Sequence, residues 1–180
     1  MKSSSPARAP GPSATSHRSH GDPISSAHRE WHARGWKEAA DGVEAVLLLI
    51  RAHRLLVDQI DAALRPQDLT FARYEILMIL SFTRRRGIAV RRLSELLRVH
   101  STSITSAVDL LERDGLSRRE PNPSDRRSVL VCVAGEGRRR AGAGTSALNE
   151  QVFSRLGLSS TESLRLWHVL RSLRQNAGDF

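Results

Sequence analysis

The sequence predicts a mainly α-helical fold with one small β-hairpin, organised around a helix-turn-helix. Three observations support this class. Apolar residues recur at helical spacing through most of the chain after residue 31. Two short helical segments, 91–98 and 102–114, are joined by a brief turn, and two strand-like segments, 116–120 and 127–133, flank a proline-containing turn.

Composition favours a nucleic-acid partner. The chain has 180 residues, enough for one domain of ordinary size, and a formal net charge of +9. Nearly all of the basic residues are arginines, whose guanidinium groups suit contacts with phosphate and guanine. Between Arg84 and Arg140, 14 arginines and 7 acidic residues give +7, so the positive charge is concentrated around the helix-turn-helix.

The same composition argues against several other classes. The single cysteine, Cys132, excludes an intrachain disulfide framework, and its alternation with valines favours a buried structural residue over a redox sensor. No apolar run approaches the ~20 residues of a membrane span, and no signal peptide is evident. We find no phosphate-binding loop, metal-ligand cluster or nucleophile–base pair, so we expect no enzymatic activity, cofactor or metal site, no membrane partner, and a cytoplasmic location.

The N-terminal part divides into a tail and helices. Residues 1–30 are predicted to be a disordered tail, because proline and serine are frequent and large apolar side chains are rare; a basic arm that lies on DNA is the alternative. Residues 31–66 are predicted to be N-terminal dimerisation helices. Their long helix, from Val43 to Leu64, ends at the Arg65-Pro66 step and has a two-sided apolar stripe, which indicates burial against a second copy.

Residues 67–135 are predicted to form the DNA-binding lobe. Thr70 is expected to cap a helix from Phe71 to about Thr83, and Gly115 ends the second helix of the helix-turn-helix, whose cap we expect to be Ser101. Small polar side chains are concentrated on the exposed face of this second helix, where they suit a close approach to base edges in the major groove; capping alone is the alternative. The candidates are Ser101, Thr102, Ser103, Thr105 and Ser106.

The predicted hairpin carries charge at or just past its tip. Arg126 and Arg127 follow the turn, and arginine is the residue that a narrow minor groove attracts. Asp125 gains nothing by facing phosphate, so we expect it to orient an arginine. For Asp125, Arg126 and Arg127, an ordinary solvated loop is the alternative interpretation.

Residues 136–180 are predicted to be C-terminal dimerisation helices. A small-residue stripe including Gly137, Ala141 and Gly144 predicts close packing of the helix from Glu136 to about Leu156. Ser159 and Glu162 have the spacing of a capping box that opens the last helix.

Three segments carry a resemblance to a known family. They read LTFARYEILMIL, LSELLRVHSTSITSAVDLLERDGL and SRREPNPSDRRSVLVCVAGEGR, and with them the chain from about Val43 to Asn176 resembles the MarR family of bacterial transcriptional regulators. The resemblance implies a winged helix-turn-helix homodimer, with the hairpin as the wing in the minor groove. By position, Asp125 and Arg127 match the D-x-R wing motif of the family. The segment Val133–Glu136 departs from the usual start of the following helix.

The resemblance also implies a small-molecule effector. Many members respond to phenolic, aromatic or carboxylate ligands held between the dimerisation helices and the DNA-binding lobe. The N-terminal extension resembles a branch that senses anionic metabolites, which nominates Trp36, His53, Arg73 and Glu75 as ligand-binding residues. Ordinary core and salt-bridge roles are the alternative for each.

Taken together, the expected function is a dimeric, sequence-specific DNA-binding repressor that reads a pseudo-palindromic operator and is released by a small, anionic ligand. A non-specific architectural DNA-binding protein is the competing hypothesis, because it shares the positive charge but needs no polar recognition face.

Overall fold

The computed structural model describes residues 23–83, 87–125 and 127–180. Its residues cluster into two compact units, one that ends at Arg54 and one from Leu55 to Phe180. The helices are α1 (Pro23–Ala33), α2 (Lys37–Leu64), α3 (Phe71–Phe82), α4 (Val90–Leu97), α5 (Ser101–Arg113), α6 (Gly135–Gln151) and α7 (Ser160–Asn176), with 3₁₀ turns at Arg65–Gln67 and Phe153–Arg155. The strands are β1 (Ile88–Ala89), β2 (Ser117–Pro121) and β3 (Val129–Val133).

Helix α1 corrects the predicted tail boundary. Residues 1–22 of that prediction lie outside the described residues, but residues 23–30 are helical, so the boundary at residue 30 was wrong. Proline is well suited to the first position of a helix, and Ile24 gives the segment a buried apolar residue. Within the first unit, His28 Nε2 lies 3.1 Å from Asp41 Oδ1 across the turn between α1 and the start of α2.

The junction between α2 and α3 follows the prediction. Helix α2 ends at Leu64, one residue before the Arg65-Pro66 step, and Thr70 caps α3 by accepting the N–H of Arg73. The carboxylate of Asp61 in α2 accepts the N–H of Phe71 at 2.9 Å. A second side-chain acceptor therefore holds the start of α3.

The three strands form one antiparallel sheet in the order β1-β3-β2. Ile88 pairs with Val131 on one side of β3, and Arg119 pairs with the same residue on the other side. The hairpin β2–β3, residues 117–133, is the wing. Strand β3 begins at Val129, two residues later than predicted, so Arg127 belongs to the turn.

The core of the second unit lies between α3, α5, the sheet and α6. Gly137 and Gly144 are buried in the small-residue face of α6, as predicted. A Cβ on Gly137 would lie 2.0 Å from the carbonyl oxygen of Leu116, so only glycine permits this approach of α6 to the sheet. The core residues are Ile60, Ala63, Leu64, Leu69, Tyr74, Ile76, Leu77, Leu80, Leu93, Ile104, Val108, Leu111, Leu116, Val131, Ala141, Leu148 and Val152.

Helix α7 opens with the predicted capping box, in which Ser159 and Glu162 exchange hydrogen bonds. Most of its large apolar side chains are exposed in the single chain: Leu164, Leu166, Trp167, Val169 and Leu173. Among the described helices, none is both long enough and apolar enough to cross a membrane.

Candidate nucleic-acid interface

The exposed face of α5 carries all five of the small polar residues predicted to read DNA. Its opposite face anchors the helix, because Ile104, Val108 and Leu111 are buried in the core. The outward residues are Ser101, Thr102, Ser103, Thr105 and Ser106.

Two of these hydroxyls are oriented by their own helix. Thr105 Oγ1 donates to the carbonyl of Ser101 at 2.9 Å, and Ser106 Oγ donates to the carbonyl of Thr102 at 3.0 Å. A hydroxyl that has donated its proton in this way still has acceptor capacity on its oxygen. In this arrangement Thr105 and Ser106 therefore offer acceptors, which suit the amino groups of cytosine and adenine in the major groove.

The cap of α5 differs from the prediction. Ser101 is the first helical residue, and His100 is the N-cap: its Nδ1 accepts the N–H of Thr102 at 3.3 Å. The imidazole Nδ1 can satisfy a free helix N–H only while it carries no proton, so this contact requires the Nε2–H tautomer of a neutral ring. Histidine lies outside the usual set of capping residues, which is why sequence reasoning chose the neighbouring serine.

The wing turn holds Arg127 through its backbone. Asp125 Oδ1 accepts the N–H of Arg127 at 3.0 Å, whereas the guanidinium Nε lies 4.0 Å from the same oxygen. The Arg127 side chain is 97% exposed. Asn122 and Ser128 close the turn beneath it, with Asn122 Nδ2 donating to Ser128 Oγ at 2.8 Å. Arg126 lies outside the described residues.

An ionic clamp joins α5 to the wing. Arg119 of β2 donates from Nη2 to Asp109 at 2.6 Å and from Nη1 to Glu112, and its backbone N–H donates to Glu112 at 3.0 Å. Hydrogen bonding to Asp109, and then to Glu112, raises the pKa of the Arg119 guanidinium. The clamp therefore fixes α5 relative to β2, a role that the sequence did not reveal.

Two arginines on α4 were also missed. Arg91 and Arg92 are exposed, and both contact Glu95, at 3.2 and 3.0 Å. Hydrogen bonds from Arg92, and then from Arg91, hold the pKa of Glu95 below its ordinary value. Arg92 also borders an open cavity of about 620 Å³ between α4 and the wing turn. The spacing of one glutamate with arginines three and four residues before it was the available sequence signal.

Within each unit, the residues nominated for an effector do not lie side by side. In the first unit, Trp36 packs edge-on against Trp31, and His53 lies 17 positions further along, roughly 25 Å at the rise of a helix. In the second unit, Arg73 and Glu75 are two residues apart on α3, a spacing that turns them to different sides.

Arg73 has a structural role in α3. Its Nη2 donates to Asp114 at 2.5 Å and its Nη1 donates to the carbonyl of Asp68 at 3.2 Å. Hydrogen bonds from Arg113, and then from Arg73, lower the pKa of Asp114. Arg73 therefore ties α3 to the end of α5. For Glu75, on the same helix, burial raises the pKa of the carboxyl group.

A different groove lies between α3 and α6, with a volume of about 360 Å³. Its wall is largely apolar, from Met78 and Phe82, and the exposed Arg138 also lines it. The hydroxyl oxygen of Ser81 is buried in the same lining and has no hydrogen-bond partner among the described residues.

Comparison with known proteins places the chain in a family. The model of the MarR family matches residues 69–129. The chain is similar to the crystal structure of Sco5413, a MarR family transcriptional regulator from Streptomyces coelicolor, with 35% identity, a TM-score of 0.71, and 78% of this chain and 97% of that chain covered. The comparison with curated proteins gave no match.

Two further structures were solved with bound molecules. Sco3205, a MarR family transcriptional regulator from Streptomyces coelicolor in complex with DNA, has 27% identity and a TM-score of 0.64 over 73% of this chain and 84% of that chain. CouR from Rhodococcus jostii RHA1, bound to p-coumaroyl-CoA, has 27% identity and a TM-score of 0.60 over 70% and 88%. With this agreement in sequence and in a helical fold that carries a three-stranded wing sheet, the chain belongs to the MarR family of transcriptional regulators.

Proposed function

We propose that this chain is a homodimeric, sequence-specific DNA-binding repressor that a small anionic ligand releases from DNA. The observation that carries DNA recognition is the small, exposed polar face of α5, together with a wing arginine whose backbone is fixed. Residues Ser101, Thr102, Ser103, Thr105 and Ser106 contact base edges in the major groove. Arg126 and Arg127 reach the minor groove, and Asp125 orients Arg127.

Dimerisation uses the N- and C-terminal helices. An apolar helix face exposed in the single chain marks an interaction surface, and the exposed residues of α7 form such a face. Helix α2 carries a second set: Val46, Leu48, Leu49, Ile50, Leu55 and Leu56. Two copies joined in this way present two α5 helices about one turn of DNA apart, ~34 Å, and so read a pseudo-palindrome.

The ligand binds in the groove between α3 and α6. Apolar walls suit an aromatic ring, and the exposed Arg138 has no carboxylate partner among the described residues, so it is free to pair with an anion. The unpartnered Ser81 hydroxyl supplies a hydrogen bond inside the groove. An aromatic carboxylate meets these three requirements.

Selection from randomised DNA duplexes tests DNA recognition. The full chain is mixed with a randomised library of about 30 base pairs at physiological salt, and light scattering gives its mass in solution. We expect enrichment of a pseudo-palindrome whose half-sites are one turn apart, and a mass twice the 20.0 kDa of one chain. A starting pool bound as tightly as the selected one would instead support a non-specific architectural protein, and a monomeric mass in solution would contradict the dimer.

Titration with benzoate tests the ligand. It should release the selected duplex from the wild type, and Arg138→Ala should weaken this release. Arg139→Ala is the matched control, because Arg139 is occupied by Glu136 at 2.6 Å. Equal responses of the two variants would argue against the groove.

A further inference from the structure

The turn of the helix-turn-helix is held by residues that follow the last helix. Arg98 ends α4 in a left-handed conformation with φ of +54°, and its N–H donates to the carbonyl of Ser94. Asp179 lies beyond α7, 81 residues along the chain. The two residues meet within the second unit.

Three residues form what we name the C-terminal latch: Arg98, Arg174 and Asp179. Arg98 donates from Nη2 to the carbonyl oxygen of Asp179, and its Nε lies 3.3 Å from the Asp179 carboxylate. Arg174 of α7 donates from Nε to the other carboxylate oxygen at 2.5 Å. One carboxylate therefore bridges a guanidinium on the last helix and a guanidinium on the turn before α5.

Contacts within the C-terminal segment hold Asp179 in position. The N–H of Asp179 donates to the carbonyl of Arg174 at 3.0 Å, which folds the segment back onto α7. The ring of Phe180 lies 5.1 and 4.9 Å from the guanidinium carbons of Arg171 and Arg174, within the range of cation–π attraction. Asp179 is thus held towards Arg98 by its own neighbours.

The latch matters for position more than for stability. The Arg98 side chain is 61% exposed, and pairs between exposed side chains contribute little to folding. In the described part of the chain, α7 does not pack extensively against α4 or α5. A contact that is weak for folding is therefore a direct link between the last helix and the turn that sets the start of α5.

We propose that Asp179 is a positioning residue for DNA recognition, which couples the orientation of α7 to that of α5 through Arg98. The inference rests on the proposed function, because it assigns to α7 the dimer contact and to α5 the DNA contact. A shift of α7, on ligand binding or on dimer rearrangement, then reaches the recognition helix through the latch.

A purely electrostatic role of Asp179 predicts the opposite change in DNA affinity when this residue is replaced, so the two explanations can be distinguished. Asp179→Ala raises the net charge by one, so a purely electrostatic role predicts tighter binding to every duplex. The latch predicts that affinity for the selected duplex falls, by about three- to tenfold, while affinity for a random duplex does not fall. Glu150→Ala, which removes an exposed carboxylate on α6, is the matched charge control.

A double-mutant cycle identifies the partner. Arg98→Gly suits the left-handed backbone at this position, so it removes the side chain without straining the turn. The loss of specific affinity in Arg98→Gly/Asp179→Ala should be smaller than the product of the two single losses. If the loss of specific affinity in the double variant equals the product of the two single losses, or if Asp179→Ala loses no specific affinity, the latch is disproved.

Amide hydrogen exchange on the free protein tests the latch separately from the proposed DNA-binding function. Asp179→Ala should speed exchange at residues 98–102 in the absence of DNA, and unchanged exchange there would contradict the latch. If the wild type itself failed to discriminate the selected duplex from the random one, the proposed function would fail, whereas the exchange result would still report on the contact.

Discussion

Asp125 accepts a hydrogen bond from the backbone N–H of Arg127 at 3.0 Å while the Arg127 side chain stays 97% exposed. The acid thus fixes the base of the arginine without occupying its guanidinium. The carboxylate stays negatively charged in this contact, so any benefit to DNA binding has to come from the position it gives Arg127 and not from attraction to phosphate.

Arg127→Ala should weaken binding to the selected duplex by about 1–3 kcal/mol, because it removes the exposed guanidinium. Asp125→Ala should also weaken binding, although it removes a negative charge, since the turn loses its backbone acceptor. Asp125→Asn keeps an acceptor oxygen and removes a negative charge, so it should bind at least as tightly as the wild type does. Fluorescence anisotropy titrations measure all three, and tighter binding by Asp125→Ala would show that the charge outweighs the positioning.

His100→Ala should lower the free energy of unfolding by about 0.5–2 kcal/mol, the usual cost of losing an N-cap. His100→Asn should retain most of the stability, because the asparagine side-chain oxygen reaches the same N–H. Chemical denaturation at neutral pH measures both. An alanine variant as stable as the wild type would mean that the imidazole contact with Thr102 does not cap α5.

Features that depend on residues three or four apart were predictable from the sequence. Thr70, the Ser159–Glu162 box and the buried small-residue face of α6 are found where the spacing placed them. Each is a local rule of helix geometry, in which the partners are fixed by the period of the helix itself.

Features that depend on distant residues or unusual chemistry were not predictable. The contact between Arg98 and Asp179 joins positions that are 81 residues apart, and no local sequence pattern predicts it. The cap by His100 uses a ring nitrogen in a role usually filled by Ser, Thr, Asp or Asn. The four nominated effector residues were chosen by type, and only the fold shows that those within each unit do not face one another.

Glu95→Gln should strengthen binding to all duplexes and steepen its salt dependence. Glu95 contacts both Arg91 and Arg92, so its neutral amide frees two cations for phosphate. The slope of log affinity against log salt should grow by about one to two. Glu30→Gln, which breaks a comparable i,i+4 pair with Arg34 just past the end of α1, is the matched control. A gain confined to the selected duplex would contradict the phosphate role.

Gly137→Ala should destabilise the second unit by about 1–3 kcal/mol or more, because the new methyl group would lie 2.0 Å from the carbonyl oxygen of Leu116 and would push α6 away from the sheet. Gly142 lies on the same helix, and a Cβ there meets no atom within 4 Å. Gly142→Ala should therefore stabilise α6 by about 0.5–1 kcal/mol through helix propensity alone. Thermal unfolding of the two variants distinguishes close packing from propensity, because propensity predicts stabilisation in both and the packing of α6 against Leu116 predicts opposite signs.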